Sequence, residues 1–217
     1  MLESTRDVTE RKSWESRQKL LLSELTHRVK NTLAVVQSLA HQTLRGTQSS
    51  EDFVERFDGR LSALARAHDL LVKSRWKGAK LGALARNQLE PYIPEDASRL
   101  RIAGDAVMLP AELATPFGLV LHELATNAAK YGSLSGATGT VNLSWRLCSE
   151  QQLLTVVWQE RDGPPVTEPA PTSTSLGNTL IQKGLPNAKV RHEFDPHGVI
   201  CTIELVLPET ANDGAGE

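Results

Sequence analysis

Apolar residues recur at three- and four-residue steps from about residue 13 to 45, at Leu22, Leu25, Val29, Leu33, Val36, Ala40 and Leu44. That spacing predicts one long helix with a single packing seam. Gly46 and the polar residues after it break the pattern, and Ser49 with Asp52 can cap a second helix over 50–73. Its seam is Phe53, Phe57, Leu61, Leu64, His68 and Leu71. Two long helices joined by a short break form a hairpin. Such a hairpin leaves apolar surface that must pair with another copy or with the rest of the chain.

After Trp76-Lys77-Gly78 the texture changes. Residues 81–90 read as a helix ended by Pro91 and Pro94, and 100–102 and 107–109 as short strands around a Gly104-Asp105 turn. A helix through 118–132 follows, which Pro116 either starts, with Thr115 as its cap, or kinks. Alternation over 141–148 and 153–160 predicts two strands, and the Pro-, Thr-, Ser- and Gly-rich stretch 161–178 a long loop of the kind that often serves as a lid. A short helix over 179–185, strands near 188–194 and 199–207 around Pro196-His197-Gly198, and a disordered tail close the chain. The fold class expected is α+β: a helical hairpin followed by a sheet with helices on one face. The domains expected are a connector at 1–12, the hairpin at 13–75, the sandwich at 76–208 and a tail at 209–217. Asp7 followed by Glu10 has the form of a helix cap, so the connector is expected to continue something upstream.

Composition narrows the class. The chain is 40% hydrophobic and 23% charged, as soluble globular proteins are. A net charge of −2 gives no electrostatic case for nucleic acid. No apolar run approaches the roughly 20 residues that span a bilayer, and the amino terminus has no signal-peptide pattern, so a cytoplasmic protein is expected. Cys148 and Cys201 sit in strand-like apolar surroundings and read as buried free thiols. His41, His68, His192 and His197 form no metal-ligand spacing, and there is no P-loop or Gly-x-Ser-x-Gly elbow.

Four stretches carry possible chemistry. On the helix of 118–132, Phe117, Val120, Leu121, Leu124, Ala128 and Tyr131 share an apolar stripe, while Glu123, Asn127 and Lys130 fall within about 60° of one another. A carboxylate, a carboxamide and an ammonium in line suit a nucleotide: Asn127 for hydrated magnesium, Lys130 for phosphate, Glu123 for a water or proton. A solvated polar face explains the stripe as well. His27 lies about 180° from the seam of the first helix, with Asn31 beside it. Its imidazole is available as a nucleophile, or is exposed by chance. Glu160 ends the apolar strand face of Leu154, Val156 and Trp158, just before Asp162-Gly163-Pro164-Pro165. It can accept a hydrogen bond from an exocyclic amine such as that of adenine, with Asp162 as a competing acceptor; a strand end meeting solvent is the alternative. Ser175-Leu176-Gly177-Asn178 precedes a helix start whose amides can hold phosphate, or is an ordinary cap.

Taken jointly, these stretches resemble the HWE family of bacterial sensor histidine kinases, with an ATP-binding domain of the Bergerat (GHKL) type. Leu25-Thr26-His27-Arg28-Val29-Lys30-Asn31 resembles the family's phosphoacceptor box, and 122–132, His-Glu-Leu-Ala-Thr-Asn-Ala-Ala-Lys-Tyr-Gly, its N box. Trp158-x-Glu160 is similar to the motif behind the family's other two letters. The resemblance covers about residues 20–207, and residues 6–12 also resemble the segment that closes PAS sensor domains.

The resemblance implies His27 as phosphoacceptor, Asn127 as magnesium ligand, Glu123 as polarising or proton-accepting group and Lys130 as a phosphate contact. Glu160 stands in for the aspartate that reads adenine in other histidine kinases. Tyr131, Asp162, Gly163 and Gly177 complete the implied ATP-binding set. His122 and Trp158 mark the family. The implied cofactors are ATP and Mg²⁺. The implied partners are a response-regulator receiver domain and an upstream PAS-type sensor; the family contains both dimers and monomers, and a second copy through the hairpin is one way to cover its seam. Where many relatives carry two glycines in the lid this chain has Ser175-Leu176-Gly177, and Arg28 follows His27 where larger families have an acidic residue. A non-kinase phosphorelay adaptor with a degenerate ATP domain is the second reading.

Overall fold

A computed structural model describes residues 2–47, 49–93, 95–165, 176–195 and 198–208. Contacts divide the chain into two compact units, Met1–Phe57 and Asp58–Glu217. The division falls inside the second helix, α2 (Ser50–Lys73), whereas the expected domain boundary lay after it.

The first unit holds α1 (Leu2–Arg45) and the start of α2. The sequence placed the start of α1 near residue 13, but the helix runs from Leu2, so Asp7 lies within it rather than at its cap. Leu22, Leu25, Val29, Leu33 and Leu44, five of the seven seam residues, are each more than half exposed. Ser49 caps α2 as expected, its Oγ accepting from the Asp52 amide at 3.1 Å.

The second unit is a five-stranded sheet covered by helices. It contains β1 (Ala79–Lys80), α3 (Leu81–Leu89), β2 (Leu100–Gly104), β3 (Met108–Leu109) and α4 (Ala111–Lys130). β4 (Thr140–Cys148), β5 (Leu153–Arg161), α5 (Leu176–Lys183), β6 (Lys189–Asp195) and β7 (Gly198–Val206) follow. The main sheet has the order β2-β4-β5-β7-β6, with β2 parallel to β4 and every other pair antiparallel. β1 and β3 form a separate two-stranded ribbon.

The segments around Gly104-Asp105 therefore do not pair with each other. The Trp145 indole donates to the Asp105 carbonyl at 2.8 Å and the Leu147 amide donates to the Asp105 carboxylate at 2.9 Å, which ties this turn to β4. Met108–Leu109 is left to pair with Ala79–Lys80.

Alternation fixes which sheet face is buried: Val141, Leu143 and Trp145 of β4, Leu154, Val156 and Trp158 of β5 and Cys201, Ile203 and Leu205 of β7 all point into the core. Onto them pack Phe117, Val120, Leu121, Leu124 and Ala128 of α4, Leu81, Leu84 and Leu89 of α3 and Ile181 of α5. α4 begins at Ala111, so Pro116 stands inside the helix rather than opening it. Cys201 is buried, but Cys148 is exposed at the end of β4, against the expectation of two buried thiols. No helix among the described residues is long and apolar enough to cross a membrane.

Candidate functional site

α4 is buried around nearly its whole girth between Phe117 and Ala125, and this changes the meaning of its polar stripe. Glu123 is 5% exposed, so the solvated-face reading fails for it. Its carboxylate is held at two points by Arg60 of α2, with Nε 2.7 Å from Oε1 and Nη2 3.0 Å from Oε2. Asn127 is half-buried and Lys130 exposed, so the stripe climbs from the interior to the surface. Gly177, in the first turn of α5, closes on its buried end: a Cβ there would stand 2.7 Å from Glu123 Oε2 and 3.9 Å from Asn127 Nδ2. The structure thus brings Gly177 to Glu123 and Asn127, with Lys130 further along the same stripe at the surface. Ser175 lies outside the described residues, as do most of the expected lid loop, His197 and the tail from residue 209.

His122 is buried beside this stripe. Its Nδ1 shares a 2.9 Å hydrogen bond with the Tyr92 hydroxyl, which also pairs with Thr126 at 2.9 Å. Burial drives its pKa from 6.5 down to about 4; Glu123 pulls the other way, while Arg66, Arg60 and Lys130 add to the fall. Burial likewise raises the Tyr92 phenol above its ordinary range, against the Thr126 hydrogen bond. The imidazole is therefore neutral near pH 7 and works as a hydrogen-bonding strut.

Glu160 is 6% exposed and has a partner at each oxygen. The Trp158 indole donates to Oε1 at 3.0 Å and the Ser133 amide donates to Oε2 at 2.9 Å. Gly132 lies so close to Oε2 that any side chain there would collide with it, and Gly163 packs in the same way on Ser133. The carboxylate at the end of β5 is in this way pinned to the turn that leaves α4. Arg99 fastens that turn from the other side, donating to the carbonyls of Gly139 at 2.7 Å and Gly136 at 2.6 Å. Each carboxylate oxygen has further lone-pair capacity, so Glu160 can still accept from a ligand amine. Asp162 is exposed in a left-handed backbone conformation, φ 57°.

Tyr131, expected on the apolar stripe, is instead 68% exposed. It follows α4 with φ −132°, and the helix has ended before its ring can turn inward. His27 is exposed on α1, with its Nδ1 3.3 Å from the Asn31 amide nitrogen.

Among the cavities lined by described residues are two on the second unit. One, of about 430 Å³, passes Glu160 and Asp162 and is walled by Glu193 and Asp195. The other, of about 440 Å³, lies beside Trp145, Lys80, Arg86 and Asp105. Neither is lined by Glu123, Asn127 or Lys130.

Arg60, Tyr92, Arg99 and Ser133 were not singled out from sequence. The Ser133 contact is through a backbone amide and leaves no side-chain signal. Arg60 is a cation at a buried helix position, where ionised groups need a partner.

Known proteins resemble this chain strongly. Residues 24–106 match the family model described as HWE histidine kinase. Blue-light-activated histidine kinases are similar over almost the whole chain. That of Brucella ovis is 36% identical over 94% of this chain and 42% of its own length, and that of Brucella anthropi 36% identical over 95% and 42%. The chain thus spans less than half the length of these relatives. Among solved structures, the Erythrobacter litoralis EL346 blue-light activated histidine kinase shares the fold at a TM-score of 0.63 and 24% identity. That match covers 86% of this chain and 58% of the other. The separate histidine kinase domain of the same protein matches with TM-score 0.57 and 20% identity, covering 80% and 94%.

Proposed function

We propose, from the premise that residues 24–106 belong to the HWE histidine kinase family, that this chain is the output module of an ATP-dependent sensor histidine kinase. It phosphorylates its own His27 and passes the phosphoryl group to a response-regulator aspartate. The observation that carries the reading is the approach of Gly177 to Glu123 and Asn127, with Lys130 following on the same stripe of a helix otherwise buried in the core.

These residues fit Mg-ATP. Magnesium keeps most of its waters and takes one or two protein oxygens together with phosphate, which a single half-buried carboxamide at Asn127 suits. Mg-ATP bound there would supply the γ-phosphoryl group. Lys130, at the exposed end of the stripe, meets phosphate charge; Gly177 lets backbone approach where a side chain would collide with Glu123. Glu160, immobilised by Trp158 and Ser133, presents its remaining lone pairs to the adenine amine. His27, exposed on α1, would offer an imidazole nitrogen to the γ-phosphorus, an N–P bond forming as the P–O bond to the leaving ADP breaks, and Glu123 is the carboxylate of the stripe that could take the displaced proton.

In this reading residues 13–75 form the phosphoacceptor segment, 76–208 the ATP-binding domain, and the segment ahead of them leads from a PAS-type sensor. The exposed leucines and valine of α1 support pairing with a second copy.

The test is incubation with Mg-[γ-³²P]ATP. The chain should take up acid-labile, alkali-stable label, and a His27→Gln variant should take up none. Label that persists in His27→Gln removes the acceptor assignment; an unlabelled parent chain that binds no ATP favours the adaptor reading.

A further inference from the structure

The first unexplained feature is Arg60. Its side chain is 3% exposed and that of Glu123 7%, so two ionisable groups are held away from water. Taking both out of water is costly, and replacing such a buried pair by apolar side chains of similar volume is often neutral or stabilising. Stability alone therefore does not account for the pair. Its geometry does point to a use. A guanidinium meeting a carboxylate through Nε and Nη2 fixes the carboxylate plane as well as its position, which a single-point cation cannot do. The backbone of α2 is also brought close here, because a Cβ on Gly59 would stand 3.2 Å from His122 Nε2. Arg60 thus enters at the level of α4 where Glu123 starts the polar stripe, and its Nη2 meets Oε2, the carboxylate oxygen that Gly177 also approaches.

We infer that Arg60 is a positioning residue for Glu123. It sets the orientation in which that carboxylate meets the reacting groups, and α2 contributes to the chemistry by this contact. The inference rests on the kinase reading above. Without the guanidinium the carboxylate rotates away from its working geometry, and misplacement by about 1 Å costs on the order of 100-fold in rate. Nucleotide affinity, held by Asn127, Lys130 and Glu160, changes little.

The experiment uses the full chain, unsubstituted and as Arg60→Met, Arg60→Lys, Glu123→Gln and the double variant Arg60→Met/Glu123→Gln. For each, the initial rate of His27 labelling at saturating Mg-ATP and the ATP dissociation constant by calorimetry are measured. The expected result is a fall in rate of about 10- to 100-fold in Arg60→Met, with the dissociation constant within about 3-fold and part of the rate restored by Arg60→Lys. In the Glu123→Gln background, Arg60→Met should change the residual rate by less than about 2-fold, because a residue acting only through Glu123 has nothing left to position. If Arg60→Met fails to fold with a stranded carboxylate, the double variant against Glu123→Gln carries the test, since neither charge remains. Labelling in Arg60→Met as fast as or faster than the parent overturns the inference, as does an equal slowing in the Glu123→Gln background. A labelled parent indifferent to Arg60 sinks this inference alone, whereas a parent that takes no label sinks the kinase reading and this inference with it.

Discussion

Burial of a neutral His122 makes the stability of the second unit depend on pH in a definite direction. In the unfolded chain this histidine binds a proton below its ordinary pKa of 6.5, whereas in the folded protein it does so only below about 4. Between those values the unfolded state holds more protons than the folded one, so stability falls as pH falls, and it levels off below about 4. Each unit of difference is worth about 1.4 kcal/mol, giving a full effect of roughly 3 kcal/mol. A His122→Asn variant keeps a polar atom near Nδ1, facing Tyr92, but has nothing to titrate. Urea unfolding followed by the fluorescence of buried Trp145 and Trp158 reports on this unit. Between pH 7.5 and 4.5 the parent should lose about 2.5 kcal/mol relative to the variant. His68 and His192, whose pKa values burial also lowers, and the carboxylates away from His122 are common to both proteins and cancel in the difference. A gap between the two proteins that stays the same at both pH values would refute the reasoning.

Three further outcomes are expected. Trp158→Phe removes the donor to Glu160 Oε1; it should cost about 1–3 kcal/mol in urea unfolding and weaken ATP binding measured by calorimetry, and unchanged values would mean the indole does not hold the carboxylate. Gly132→Ala drives a methyl group into Glu160 Oε2 and against Ala128; a loss of about 1–3 kcal/mol should appear as a lowered thermal midpoint, and an unshifted melt would contradict the packing. Cys201 is buried with its thiol pushed up to about 12, and Cys148 is exposed. A thiol-reactive dye should therefore modify the native protein quickly at Cys148 and reach Cys201 only in denaturant, which peptide mapping distinguishes.

The parts legible from sequence are those that depend on neighbours in the chain. Glu123, Asn127 and Lys130 share a stripe because the helical period alone puts them there, and Glu160 ends an apolar strand face for the same kind of reason. What periodicity cannot express is partnership across the chain. Arg60 and Glu123 are 63 positions apart, and a helix seam read from apolar residues passes over a buried arginine. The pairing of β2 with β4 rather than with its neighbour β3 is likewise a long-range partnership, and the Trp145 indole bonds the turn after β2 from 40 residues away. Tyr131 was misplaced because its neighbours continue a helical pattern one residue beyond the helix's actual end.

The parallel alignment of β2 and β4 has a consequence for how the chain folds. The β4–β5 and β6–β7 pairs are hairpins closed by short connections and can form quickly on their own. A parallel pair cannot; its connection must travel back along the sheet, and here that crossover is α4 itself. The edge of the sheet is therefore completed only after the chain has closed a long loop through α4, a slow, high-contact-order step. The site and the folding bottleneck share one helix. Substitutions along α4 are expected to register in refolding kinetics as well as in nucleotide chemistry, and a change that spares one can still be selected against by the other.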